Sequence, residues 1–326
     1  AFYTFSVSAV GTVADNGTRF PGTGNAFGQV GPCAACDNID PTTFAQAGKA
    51  GIGGIDVSED GSTLYAVTLA DRKLYAINTA GTPVASEVVG APWLGNALCA
   101  GTGVARPWAV TYRTDKVYVG VTCDASTSST CNASGSCADL KAQVYAFDTV
   151  GNSWATVLPT PVPLNYERNF YKTGGITAYW HPWTDDWATM SPYVNSNTAA
   201  NIDASYPQPL LSNIEFDVDG SLILAFLDRT GLQLGYAAPA PTASSAADVS
   251  EKYFTAGDLL RVGFQNGDYA LEANGVVTTS TGATLTGTGV ITATGPGGRE
   301  FYDDIWWNNG PAYGDNGLGA VGLDVD

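Results

Sequence analysis

Histidine occurs once in this chain of 326 residues, methionine once, and Lys and Arg together only 14 times. Each scarcity removes a class of function. His181 stands alone, so multi-histidine zinc sites and di-histidine chemistry are excluded. With 14 basic residues against 31 acidic ones the formal net charge is −17, and no basic cluster is present. Phosphate neutralisation needs Lys and Arg on one face, so nucleic acid is excluded as a partner. Charged residues make up 14% of the chain, against roughly a quarter in an average soluble domain. No apolar run reaches the roughly 18–20 residues of a membrane-spanning helix. The N-terminus carries neither a charged n-region nor an apolar core of a signal peptide, and Ala1-Phe2-Tyr3 reads as a mature start or the edge of an ordered part.

What fills the space is Gly (39 residues), Ser, Thr and Ala, with 11% aromatics and 44% hydrophobic residues. That is enough apolar material for a core, and it excludes disorder. The chain therefore reads as a soluble, acidic, β-rich globular protein.

Six cysteines, few lysines and one methionine point to an oxidising compartment. Cys33 and Cys36 form a C-x-x-C inside a Pro/Asp/Gly loop, which lacks the βαβ setting of a redox motif. Zinc would need a second pair nearby, for which Cys131 and Cys137 are the available thiols. Loop staples are the preferred reading, with Cys33–Cys36, Cys99–Cys123 and Cys131–Cys137 as the expected pairs. Two sequons, at Asn16 and Asn132, suit glycosylated surface loops of a secreted or cell-surface protein.

Strand signals recur in the same phrase. Residues 55–58, 63–68 and 73–78 alternate apolar and polar and are joined by short turns, one of them Asp60-Gly61. The pattern returns at 108–112, 117–121 and 143–148, again at 214–217 and 221–226, and in a hairpin over 259–262 and 269–272 around Asn266-Gly267. Alternation with period two predicts one buried face per strand. Gly317–Val325 repeats the opening Gly51–Val57, so units begin near residues 51, 107, 210 and 317. Helices are expected only near 41–49 and 246–254. Repeated hairpin units predict an all-β fold: a β-propeller of four-stranded antiparallel blades with long loop insertions, residues 1–326 forming a single domain. A β-sandwich is the competing architecture. The last unit stops after one strand, so either the strand expected at 3–13 or a continuation of the chain completes that blade, or strands are donated between neighbouring copies, giving a homo-oligomer or filament.

Residues 51–79, 106–128, 207–231 and 295–307, the last reading GPGGREFYDDIWW, are similar to a module of large bacterial surface proteins that also carry SdrD B-like repeats. The resemblance covers most of residues 50–326. It implies an exported, propeller-like module with no catalytic motif to transfer, whose partners would be other surface-protein subunits.

Two stretches concentrate chemistry. Trp180, Trp183, Asp185, Asp186 and Trp187 surround His181, and Asp303, Asp304, Trp306 and Trp307 form a second Trp/Asp group. The preferred reading of both is a Trp-rich loop packed over one mouth of the ring; aromatic faces beside carboxylates also suit a glycan, the alternative to a purely structural or adhesive module. Asp185 and Asp186 are neighbours, so an extended chain points them apart, which is a poor geometry for a glycosidase pair. A hydrolase or lactonase-type propeller ranks third, because the chain is short of His. No cofactor is expected. Calcium is considered at Asp56–Gly61 and Asp217–Ser221, but Val67 and Phe226 stand where an EF-hand needs its bidentate Glu. Asp71-Arg72 and Asp228-Arg229 take equivalent places after the second strand of their units and read as a structural ion pair or turn.

Overall fold

The computed structural model describes residues 41–80, 86–95, 97–131, 137–166, 179–190, 206–234, 241, 257–287 and 301–302. The expected strand at 3–13, the Cys33–Cys36 pair, the sequons at Asn16 and Asn132, the helix at 246–254, the group Asp303, Asp304, Trp306 and Trp307, and the final repeat at 317–325 lie outside these residues.

The described chain is mostly β, built from four-stranded antiparallel meanders. After the short helix α1 (Pro41–Gln46), the first sheet runs β1 (Ile52–Val57), β2 (Thr63–Thr68), β3 (Lys73–Asn78) and β4 (Ser86–Gly90). The second contains β5 (Ala105–Arg113), β6 (Lys116–Cys123), β7 (Lys141–Asp148) and β8 (Ser153–Thr156), with the short β9 (Val162–Pro163) also paired to β7. Helix α2 (Trp187–Met190) precedes the third sheet, whose strands are β10 (Pro209–Phe216), β11 (Leu222–Asp228), β12 (Asp258–Gln265) and β13 (Asp268–Leu271). Helix α3 (Thr230–Gln233) follows β11, and a hairpin of β14 (Val276–Thr278) and β15 (Thr284–Thr286) follows the third sheet.

The alternating runs become strands for the expected reason, and β2 and β3 occupy the predicted residues. The prediction of one buried face per strand needs correction. Strands β6 and β11 are buried over nearly their whole length. One cluster, containing Val67, Leu74, Val117, Val119 and Phe147, joins the first and second sheets. Another, containing Val144, Leu211, Ile214, Leu224 and Val262, joins the second and third. The middle sheet is thus covered on both faces.

Successive sheets repeat one packing relationship. The registers place Ile55, Val110 and Ile214 on the same rung of their sheets, opposite Ala66, Val119 and Leu224. Two residues on, Tyr112 stacks on Tyr65 of the preceding sheet at 5.8 Å, and Phe216 meets Tyr118 of its preceding sheet edge-on at 4.7 Å. Polar bonds tie successive sheets together. Asp56 accepts the Tyr112 amide at 2.6 Å, the Thr111 hydroxyl donates to the Ile214 carbonyl at 2.6 Å, and the Leu211 amide donates to Thr122 Oγ1 at 3.0 Å. Each first strand carries a bulge at the corresponding place, between Ile52 and Ile55, Pro107 and Val110, and Leu211 and Asn213. An extra residue there bends the strand toward its neighbour. Gly54 lies at this point because a Cβ would meet the Trp108 carbonyl oxygen at 2.6 Å.

Disulfides Cys99–Cys123 and Cys131–Cys137 form as expected, with Cα separations of 5.4 and 4.2 Å. No helix among the described residues is long and apolar enough to cross a membrane.

Candidate functional site

The end of the sheets where the first strands begin and the second strands finish collects the chemistry. Residues 48–51, 69–72, 103–106, 124–126, 206–208 and 228–230 all belong to it, because an antiparallel pair places the start of one strand beside the end of the next. The 180–187 stretch is laid across this end. The His181 amide donates to the Pro207 carbonyl at 2.7 Å and the Trp183 amide to the Asp124 carbonyl at 2.9 Å.

The tryptophans of this stretch serve the interior. Trp180 and Trp183 are buried, and the Trp183 indole N–H donates to the Pro209 carbonyl at 2.8 Å. Gly48 has a left-handed φ of 73°, and a Cβ there would stand 3.1 Å from the Trp183 ring. Trp187 is half-buried and packs edge-on against Phe44. His181 is buried and stacks on Tyr206 at 4.2 Å, and burial lowers its pKa to about 4. Its ring is neutral at physiological pH.

The two adjacent carboxylates diverge as the sequence implies. Asp186 accepts the Ala188 amide at 3.1 Å and the Thr189 hydroxyl at 2.7 Å, capping α2, and those bonds lower its pKa. Asp185 turns the other way and pairs with Lys49 and, at 2.7 Å, with Arg229. Burial opposes its ionisation, but the hydrogen bonds from Lys49 and Arg229 outweigh it and hold the carboxyl below its usual range.

Arg229 is the centre of the arrangement. Its side chain has no exposed surface. Nε donates to the Ala47 carbonyl at 2.7 Å, and Nη1 to the Thr184 carbonyl at 2.9 Å and Gln208 Oε1 at 2.8 Å. Nη2 takes Asp185. The expected structural ion pair is therefore realised in Arg229, which joins the α1 segment, the 180–187 stretch and the third sheet. Its supposed equivalence to Arg72 is off by one residue. Thr68, Val121 and Phe226 share a rung, so Arg229 takes the place of Asp71 and Asp124. Asp228 and Asp124 still do the same work. Asp124 accepts the Val104 amide at 2.7 Å and the Ser126 amide at 3.0 Å, and Asp228 accepts the Gln208 and Thr230 amides, each at 2.9 Å.

Arg106 donates through Nε to buried Asp124 at 2.8 Å, and its guanidinium lies over Trp183 at 5.3 Å, where Arg229 also stacks at 4.7 Å. Four of the chain's 14 basic residues, Lys49, Arg72, Arg106 and Arg229, thus belong to this end. Sequence reasoning singled out Arg72 and Arg229 but not Lys49 or Arg106. The available signal was the rarity of cations, since these four are distant in sequence.

The two loops considered for calcium are hairpin turns. Asp60 accepts the Ser58 hydroxyl at 2.6 Å and the Ser62 amide at 3.0 Å, which lower its pKa to about 2, while Asp217 and Asp219 pair with Arg261 at 2.6 and 3.2 Å. Among the described residues no group of three or more His, Cys, Asp and Glu is placed to hold a metal ion. Neither a protein-family model nor a curated protein matches the chain.

Proposed function

We propose that the chain is a secreted or cell-surface β-propeller module with a structural or adhesive role in a surface assembly. The observation that carries this reading is the repeated way each sheet seats on the one before it. Val110 and Ile214 are 7% and 0% exposed because the preceding sheet covers them. Ile55, on the same rung of the first sheet, is 56% exposed, and Val57, which corresponds to Tyr112 and Phe216, is 44% exposed. A sheet of the same kind would complete the series there, as a radial arrangement requires. The disulfides and the acidic, low-charge composition support an extracellular setting.

Electron microscopy of the purified full-length chain tests this reading, together with antibody labelling of intact source cells. Radial particles, single or joined, with surface labelling are expected. An open stack of sheets, or labelling only after permeabilisation, would sink it.

A further inference from the structure

Each of the first two sheets offers its successor the same seat. Tyr65 pairs with Ala76 across β2 and β3, and Tyr112 of the next sheet stacks on Tyr65. Tyr118 pairs with Ala146 across β6 and β7, and Phe216 of the next sheet meets Tyr118. The corresponding pair in the third sheet is Ile223 and Arg261. An arginine stands where the other sheets have alanine, and Phe301 lies over its guanidinium at 4.9 Å. Arg261 Nη1 donates to the Tyr302 hydroxyl oxygen at 3.1 Å, and Nη2 pairs with Asp217 at 2.6 Å and Asp219 at 3.2 Å. Gly287, just past β15, lies so close to the Phe301 backbone that a Cβ would not fit. Phe301 and Tyr302 are therefore strapped across the seat that the next sheet fills in the two earlier cases.

The same arginine is joined to a buried carboxyl group. Its amide donates to Glu272 Oε1 at 2.8 Å, and its carbonyl accepts the Glu272 amide at 2.9 Å. Glu272 is 2% exposed, and its Oε2, like Arg261 Nε, has no hydrogen-bond partner among the described residues. An ionised carboxylate so placed is unfavourable, and protonation or access to water relieves it. The groups that face it are Arg261 and Asp258 from β12 and the Phe301 amide and Tyr302 from the strap. Asp217 and Asp219 reach it through Arg261, and Asp258 also accepts the Tyr166 hydroxyl. Burial, with Asp258 reinforcing it, raises the Glu272 pKa to about 8, against the pull of the Arg261 and Phe301 amides and the Arg261 charge. Burial also holds the Tyr302 hydroxyl above its ordinary value of 10, so the two do not titrate together.

We infer that Phe301 and Tyr302 form a proton-controlled strap on the third sheet, closed while Glu272 is protonated and lifted more readily once that proton is lost. Lifting lets Glu272 reach water and uncovers the Ile223–Arg261 seat. The closed strap binds the proton more tightly than the lifted one, so the strap is firmest in acid and loosens as pH rises toward about 8. None of this depends on ring closure, because every group involved belongs to the third sheet or lies against it.

Hydrogen exchange of the full-length, oxidised chain tests the strap, read by mass spectrometry on a peptide containing Phe301 and Tyr302. After correction for intrinsic base catalysis, protection should fall about tenfold per pH unit above about pH 6, one proton lost per opening, and level off above about pH 8. The strap should also exchange ahead of the Thr63–Asn78 amides at every pH. Glu272→Gln cannot ionise and should give a flat profile. Tyr302→Phe should lower protection about fivefold at every pH, the loss of one hydrogen bond, with the slope kept. A slope that survives in Glu272→Gln overturns the inference, as does a flat or rising profile in the unmodified chain. Exchange in step with β2 and β3 overturns it too, since global unfolding alone would give that result.

Discussion

Arg229 and Asp185, 44 residues apart, meet at 2.7 Å with the guanidinium fully buried and the carboxylate partly open to water. The pair lies at the junction of three chain segments that share no strand. Its asymmetry predicts unequal effects of removing each partner. Arg229→Met strips donors from the Ala47 and Thr184 carbonyls and from Gln208, and should cost about 3–5 kcal/mol of stability. Asp185→Asn leaves the arginine its carbonyl partners and should cost roughly 1–2 kcal/mol. Denaturant unfolding of the two variants measures this, and equal losses would contradict the assigned roles.

Glu272 gives a pH dependence of definite sign. It is buried, its Oε1 accepts the Arg261 amide at 2.8 Å, and its Oε2 has no partner among the described residues. Burial, with Asp258 reinforcing it, raises its pKa from 4.5 to about 8 against the pull of the Arg261 amide. The folded chain holds this proton where the unfolded chain has lost it, so the contribution to stability is complete below about pH 4.5 and drains away as pH rises to about 8. Glu272→Gln imitates the protonated form. It should match the unmodified protein near pH 4 and melt several degrees higher at pH 8 in scanning calorimetry.

His181 acts in the opposite direction. Its folded pKa of about 4 lies below the ordinary histidine value of 6.5, so its contribution is present above 6.5 and is lost as pH falls through 4. His181→Phe preserves the ring beside Tyr206 and removes the titration. Melting temperatures of this variant should fall less steeply between pH 6.5 and 4 than those of the unmodified chain. Parallel curves would show that the imidazole does not govern this range.

The two described disulfides differ in the loops they close. Cys99–Cys123 spans 24 residues and Cys131–Cys137 only 6. In the chain-entropy account the first contributes about 3.5 kcal/mol and the second about 2 kcal/mol. Paired Cys→Ala substitutions followed by urea unfolding should reproduce that order.

Much of the fold is legible before any coordinates. Runs such as Thr63–Thr68 and Lys73–Asn78 alternate cleanly, with Asp60-Gly61 and Asp71-Arg72 marking the turns, and they become strands at those residues. Strands β4 and β8 are not legible. Ser86–Gly90 and Ser153–Thr156 are short and largely exposed, so no periodic apolar pattern announces them, and pairing with β3 and β7 creates them. The candidate site divides in the same way. The divergence of Asp185 and Asp186 follows from their adjacency, and a packed Trp-rich loop is the preferred reading of 180–187, whereas the meeting of Asp185 with Lys49 and Arg229 cannot be read from the chain.

Local chemistry in the sequence determined the strand periodicity, the hairpin turns, the pairing of the nearby cysteines and the scarcity of cations. Tertiary structure alone decided that β6 and β11 would be covered on both faces, and that Lys49, Arg72, Arg106 and Arg229 would share one end. The physical reason is range. Strand and turn preferences act over a few residues and leave a pattern in the chain. Burial of a second face and the meeting of like charges depend on which sheets pack together, and neighbouring residues carry no record of that.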